Sequence, residues 1–200
     1  MTYELQMGEK MDNLIVRTTA LAMSVTLSYI RKGDTVVDAT CGSGHDTLTL
    51  AQAVGEEGQV LAFDIQEQAI EQTEARLRSQ GISNVRLLQD SFVSMTACLP
   101  ENSASAVVFN LGYLPGGDHR ITTRAEITLE GLDAALRTIR PGGVVTFVLY
   151  DGHENGAEEK RQLLTRAEEL DSSRFHAAYV SMLNQKRHPP EILWITKKRG

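Results

Sequence analysis

Residues 110–118 read Asn-Leu-Gly-Tyr-Leu-Pro-Gly-Gly-Asp and follow an apolar run, residues 104–109. A polar amide, a flexible step, an aromatic ring and a Pro-Gly-Gly turn arrive together. An ordinary strand-to-helix connection needs none of them. The set suits a site that stacks a planar ring and aims an amino group for reaction. The Asn110 amide oxygen can accept one N–H and the Leu111 carbonyl another. Tyr113 offers a ring face to a base, and Gly112 lets the backbone approach. The plainer readings are a turn-forming Asn110 bonded to its own backbone and a Tyr113 packed in the core.

A second constellation is Asp38-Ala39-Thr40-Cys41-Gly42-Ser43-Gly44. Gly42 and Gly44 tolerate positive φ and close ligand approach, and the helix expected next begins with unpaired N–H groups. Asp64, twenty residues after Gly44, can accept both hydroxyls of an adenosine ribose. A dinucleotide fingerprint would carry a third glycine where Thr47 stands. An adenosine-bearing cofactor is expected, S-adenosylmethionine ahead of NAD(P), with a purely structural glycine turn as the remaining reading. Asp46 and Gln66 are either cofactor contacts or, respectively, a helix-start charge and a helix cap. Asp118, His119, Asp151, His153 and His45 are the candidate bases, and Tyr150 joins His153 as a candidate contact. Arg120, Arg124, Lys186 and Arg187 are candidates for phosphate contacts.

These groups need elements to hold them. Apolar spacing predicts a covering helix over residues 13–30. Strands are expected at 35–40, 60–65, 85–89, 105–110 and 144–150. Helices are expected at 45–54, 66–80, 91–99, 122–139 and 154–170, with Pro141-Gly142-Gly143 closing the fourth of these. Residues 175–182 and 192–196 flank a connection too short for a helix, so they form an antiparallel hairpin. Strand-helix alternation implies an α/β fold with a mostly parallel seven-stranded sheet and helices on both faces.

Two hundred residues fit one domain, 1–200, with a sizeable core. No apolar run approaches the roughly 18 residues that span a bilayer, and the first twelve residues lack a signal-peptide core, so a cytoplasmic protein is expected. Cys41 and Cys98 have no partner at metal-ligand spacing, so neither a metal site nor a disulfide is expected. The net charge of −6 argues against a protein that coats nucleic acid electrostatically. A local basic face remains open, from Lys186-Arg187-His188 and Lys197-Lys198-Arg199 together with Arg120 and Arg124.

The first four residues of the 110–118 segment are similar to the Asn-Pro-Pro-Tyr signature of methyltransferases acting on nucleobase amino groups. Asp38 with Gly42 and Gly44 gives the Asp-x-x-x-Gly-x-Gly pattern of methyltransferase cofactor loops. Ending on a strand pair is a habit of class I methyltransferases. The chain as a whole resembles the MnmM (YtqB-type) family. That likeness rests on Asp38-Ala39-Thr40 with Gly42-x-Gly44-His45-Asp46-Thr47, on Phe63-Asp64-Ile65-Gln66, and on residues 110–118 continuing into Ile121-Thr122-Thr123. Tyr150-Asp151-Gly152-His153 and Asn184-Gln185 followed by Pro189-Pro190 complete it. It departs at Cys41-Gly42-Ser43, where Met or Ala and then Asn are expected around the first glycine.

The resemblance implies a Rossmann-like class I methyltransferase using S-adenosylmethionine. It implies N-methylation of the 5-aminomethyl group on the wobble uridine of tRNA, and so a tRNA partner met at its anticodon region. In such enzymes the acid at Asp38 helps position the cofactor's amino-acid portion, and Asp90 with Ser91 meets the adenine. Asp46, Asp64, Gln66 and Asn110 complete the implied cofactor contacts. Asn110, Tyr113, Asp118 and His153 form the implied acceptor site. An rRNA or small-molecule N-methyltransferase and a non-catalytic cofactor-binding module are the alternatives, and a homodimer is left open.

Overall fold

The computed structural model describes residues 17–111, 125–150, 156–185 and 189–199. Its elements in chain order begin with α1 (Thr18–Leu27), β1 (Thr35–Asp38), α2 (His45–Val54), β2 (Gln59–Asp64), α3 (Glu67–Ser79) and β3 (Val85–Gln89). A 3-10 turn (Phe92–Ser94) and α4 (Met95–Cys98) follow, then β4 (Ala104–Leu111), α5 (Ala125–Thr138) and β5 (Ile139–Leu149). The chain closes with α6 (Gly156–Glu168), β6 (Phe175–Val180) and β7 (Glu191–Lys197). The sheet has seven strands in the order β3-β2-β1-β4-β5-β7-β6. β1 to β5 pair in parallel, and β7 pairs antiparallel with both β5 and β6. The expected mixed sheet and terminal hairpin are therefore present. Of the expected covering helix, α1 is described and residues 13–16 lie outside the described residues.

Alternation along the strands divides the core in two. Val37, Phe63, Phe109 and Phe147 face α5 and α6, while Val36, Ala62, Val108 and Val144 face α1, α2 and α3. Phe109 stacks on Phe147 at 4.3 Å and meets Phe92 edge-on at 5.2 Å. This fully buried ring fixes the strand just before Asn110. On the other face the Thr26 and Thr146 hydroxyls share a buried 2.7 Å hydrogen bond. That bond holds α1 against β5.

One expectation is corrected. Pro141-Gly142-Gly143 does not close a helix: α5 ends at Thr138 and β5 starts at once. From Ala104↔Ile139 to Ala106↔Val144, β4 advances two residues and β5 five. The motif is thus an excursion within β5 that takes up the extra length. Of the expected basic face, Arg120, Arg124 and Lys186-Arg187-His188 lie outside the described residues. Glu191 pairs with Leu149 at the carboxyl ends of the parallel strands, whereas Lys197 pairs with Phe175 at the opposite edge. The Lys197 ammonium is also taken up by the Leu136 and Ile139 carbonyls, at 2.8 and 3.0 Å.

A Cβ on Gly143 would sit 2.9 Å from the carbonyl oxygens of both Arg140 and Ser105. Backbone would have to move in both strands. Gly143→Ala should therefore cost about 1–3 kcal/mol, read as a lower urea midpoint at unchanged m-value.

Candidate active site

Asp38, Asp64 and Asn110 stand at or near the carboxyl ends of the adjacent strands β1, β2 and β4. Each follows by two residues a side chain packed against α1–α3, namely Val36, Ala62 and Val108. The pleat therefore turns all three to one side, at the edge where open α/β sheets bind ligands.

Asp38 is 1% exposed, and both its oxygens are engaged within the chain. Oδ1 accepts from the Thr40 N–H at 3.2 Å and Oδ2 from the Thr47 hydroxyl at 2.6 Å. Thr47, occupying the place of the missing third glycine, thus supplies a donor that ties α2 to β1. Burial, with Asp46 and then Asp64 nearby, pushes the Asp38 carboxyl up to about 7 despite those hydrogen bonds. Asp64 accepts from the Gly42 N–H and the Gln66 N–H, both at 3.0 Å. It thereby joins the glycine loop to the start of α3, and burial raises its proton affinity too. Gln66 is the N-cap residue of α3, its carbonyl accepting from the Ala69 and Ile70 N–H groups while its side chain makes no capping bond. Gly42 and Gly44 have φ of 52° and 79°, the left-handed region that glycine enters freely.

Asn110 connects this cofactor-loop half to the segment beyond β4. Its backbone N–H donates to the Thr40 hydroxyl at 2.8 Å, and its Nδ2 donates to Asp46 Oδ2 at 3.2 Å. A carboxylate only accepts, so this bond sets the amide orientation. Oδ1 carries no bond to any described residue. Asp46 has its proton affinity raised by burial, opposed by the Asn110 bond and the neighbouring His45. Tyr150, just past β5, has its phenol pushed up by burial and then by Asp46. Asp38, Gly42, Gly44, Asp46, Asp64, Gln66, Asn110 and Tyr150 therefore gather at one edge. Asp90 and Ser91 follow β3 at the same edge, where Asp90 is exposed and accepts from the Ser91 N–H at 2.7 Å. The Ser91 hydroxyl in turn accepts from Val93.

Tyr113, Asp118, His119, Arg120, Arg124, Asp151, His153, Lys186 and Arg187 lie outside the described residues. Thr40 and Thr47 were not singled out from sequence as partners of Asn110 and Asp38. Ile65 was not either: beside Asp64 it is 58% exposed, an apolar surface that solvent alone would not favour. Among the described residues no cluster of ligands could hold a metal, and no helix is long and apolar enough to cross a membrane.

The chain matches the family described as "Putative rRNA methylase" over residues 60–196. Over residues 2–91 it also matches protein-L-isoaspartate(D-aspartate) O-methyltransferase. It is 39% identical over 184 residues to the chloroplastic tRNA (mnm(5)s(2)U34)-methyltransferase of Arabidopsis thaliana, covering 86% of this chain and 67% of that protein. Two solved structures are similar across most of their length. The rRNA-methylase structure from Clostridium thermocellum superposes with a TM-score of 0.88 at 38% identity, covering 90% of this chain and 97% of that one. A methyltransferase from Streptococcus mutans in complex with SAH gives 0.82 at 32% identity, covering 90% and 98%.

The buried acids fix a pH dependence of stability. Between the ordinary aspartate value near 4 and about 7, the folded chain holds a proton on Asp38 that the unfolded chain has released. More protons bound in the native state means that stability falls as pH rises. The contribution is complete below about 4 and gone above about 7, and Asp46 and Asp64 act in the same direction. Without added ligand, urea unfolding should show a loss of a few kcal/mol between pH 5 and 8. Asp38→Asn should flatten much of that slope; an unchanged slope would remove Asp38 as its cause.

Proposed function

The chain belongs to the rRNA methylase family and is an S-adenosylmethionine-dependent methyltransferase, and from that premise we propose that it N-methylates the 5-aminomethyl group of the tRNA wobble uridine. The observation that carries this reading is the Asn110–Asp46 pair. It commits the amide nitrogen to Asp46 and so keeps the amide oxygen for an N–H donor, as holding an amine requires. The Arabidopsis relative, named for this wobble-position chemistry, supports the same substrate.

The residues fit the cofactor. Two positive-φ glycines allow close approach, Ile65 offers an apolar platform beside Asp64, and three desolvated aspartates suit a group of net positive charge. In this reading Asp64 holds the ribose hydroxyls, Ile65 lies against the adenine, Asp90 and Ser91 stand at its far side, and the glycine loop cradles the amino-acid portion. When bound, S-adenosylmethionine supplies a methyl group activated by its sulfonium.

The protein's part is alignment and proton control. An aliphatic amine resembles Lys, so freeing its lone pair at pH 7 costs roughly 4–5 kcal/mol. Asn110 Oδ1 accepts an N–H of the neutral amine and aims the lone pair, without removing a proton. Asp46, bonded to the Asn110 amide and with its affinity for a proton raised by burial, takes the one released. Tyr113 stacks on the uridine, Asp118 and His153 border the arm, and Arg120, Arg124, Lys186 and Arg187 meet the phosphates of the anticodon region.

Asp64→Ala should abolish cofactor binding by calorimetry. Asn110→Ala should leave that binding nearly intact and cut kcat about a hundredfold. Full activity of Asn110→Ala on the correct RNA would sink the orienting role.

Mass spectrometry of tRNA nucleosides from a deletion strain should show the unmethylated aminomethyl nucleoside accumulating. Normal tRNA with an undermethylated rRNA would replace the substrate. No methyl transfer to undermodified RNA of either kind would favour a binding module.

A further inference from the structure

Helix α3 lies behind the glycine loop and grips it at successive residues. Thr73 is fully buried, and its hydroxyl donates to the Gly42 carbonyl at 3.0 Å. Its Cα would stand 2.9 Å from any Cβ on Gly44, so loop and helix touch backbone to backbone. One turn further on, where side chains share a helix face, Arg76 Nε donates to the Ser43 carbonyl at 2.7 Å. Arg76 Nη2 lies 2.9 Å from His45 Nε2.

Two consequences follow from elementary chemistry. In a trans peptide the carbonyl and the next N–H point to opposite sides. Holding the Gly42 carbonyl against α3 therefore turns the Ser43 N–H away from α3, toward the cleft. A guanidinium only donates. In the neutral ring His45 Nε2 is therefore the acceptor of this pair, and Nδ1 carries the proton.

We infer that Arg76 is a positioning residue for the cofactor loop. It fixes the Ser43 carbonyl and selects the His45 tautomer, so that His45 presents Nδ1–H as a hydrogen-bond donor at the start of α2. His45 is thereby withdrawn from the candidate bases, because its basic nitrogen is already engaged. The inference rests on the cofactor and is independent of which RNA is methylated.

The test is nitrogen-15 NMR of the imidazole in the full-length protein, together with steady-state kinetics. The wild type should show an unprotonated Nε2 and a protonated Nδ1 on His45. Arg76→Met should give a mixture of tautomers and raise KM for S-adenosylmethionine about tenfold, with kcat within about twofold. Arg76→Lys, which can reach one partner but not both, should fall between. Misfolding alone removes active enzyme without changing the KM of what remains, so it cannot imitate this pattern. Calorimetry with S-adenosylhomocysteine gives the same comparison without RNA, so an error in the proposed substrate leaves the test intact. A wild-type His45 protonated at Nε2 would overturn the inference, as would an Arg76→Met protein with unaltered tautomer and cofactor affinity.

Discussion

A carboxylate with 1% exposure governs this site. Asp38 sits at the end of a central strand, and desolvating its charge is costly. The hydrogen bonds from Thr40 and Thr47 offset only part of that cost, which is why its proton affinity stays raised. They also have a geometric effect. One bond closes the chain on itself just after β1, and the other reaches the first turn of α2. The path between them is the glycine loop. Its conformation is therefore set from inside, by a group that presents almost no surface to a ligand.

Asp64 repeats the device one strand over. Its two oxygens receive N–H groups from the loop and from the head of α3, so β1, β2, α2 and α3 meet through two carboxylates. The Phe109–Phe147 stack then keeps β4 in register with β5 beneath Asn110. In β1, β2 and β4 side-chain polarity is confined to the strand ends, and the middles of these strands are apolar on both faces. Burial is the first cause of the upward shift shared by all three acids at this edge, and for Asp38 the charges of Asp46 and Asp64 add to it. A cationic cofactor offsets the cost of those desolvated charges. The charge pattern that weakens the empty site is the one that selects its ligand.

The sequence made the sheet legible because strands and helices alternate with distinct periods and glycine turns between them. The terminal hairpin was legible because residues 184–190 are too few for a crossover helix. The Pro141-Gly142-Gly143 motif misled because the same residues stop a helix or relieve a strand of surplus length. Register with β4 decides between these, and register is a long-range property. The place of Lys197 was hidden for a similar reason: the direction of β7 carries it to the edge away from the site. At the site, acids and glycines announce themselves by spacing. Thr47, Thr73 and Arg76 do not, because a threonine or arginine on a helix has many ordinary uses. Only the fold shows that a loop carbonyl lies within reach.

The Asn110–Asp46 hydrogen bond joins the two halves that methyl transfer must bring together. Asp46 belongs to α2, hence to the loop that Asp38 and Asp64 organise. Asn110 belongs to β4, whose continuation carries the aromatic and glycine segment read first in the sequence. Because the amide donates to Asp46, any shift of the cofactor loop moves the acceptor oxygen with it, and their relative geometry is conserved through small motions. A ring amino group held in a rigid plane would need less of this. A flexible aminomethyl arm has free rotations that must be stopped before its lone pair lines up with the methyl. An acceptor locked to the cofactor loop is suited to stopping them.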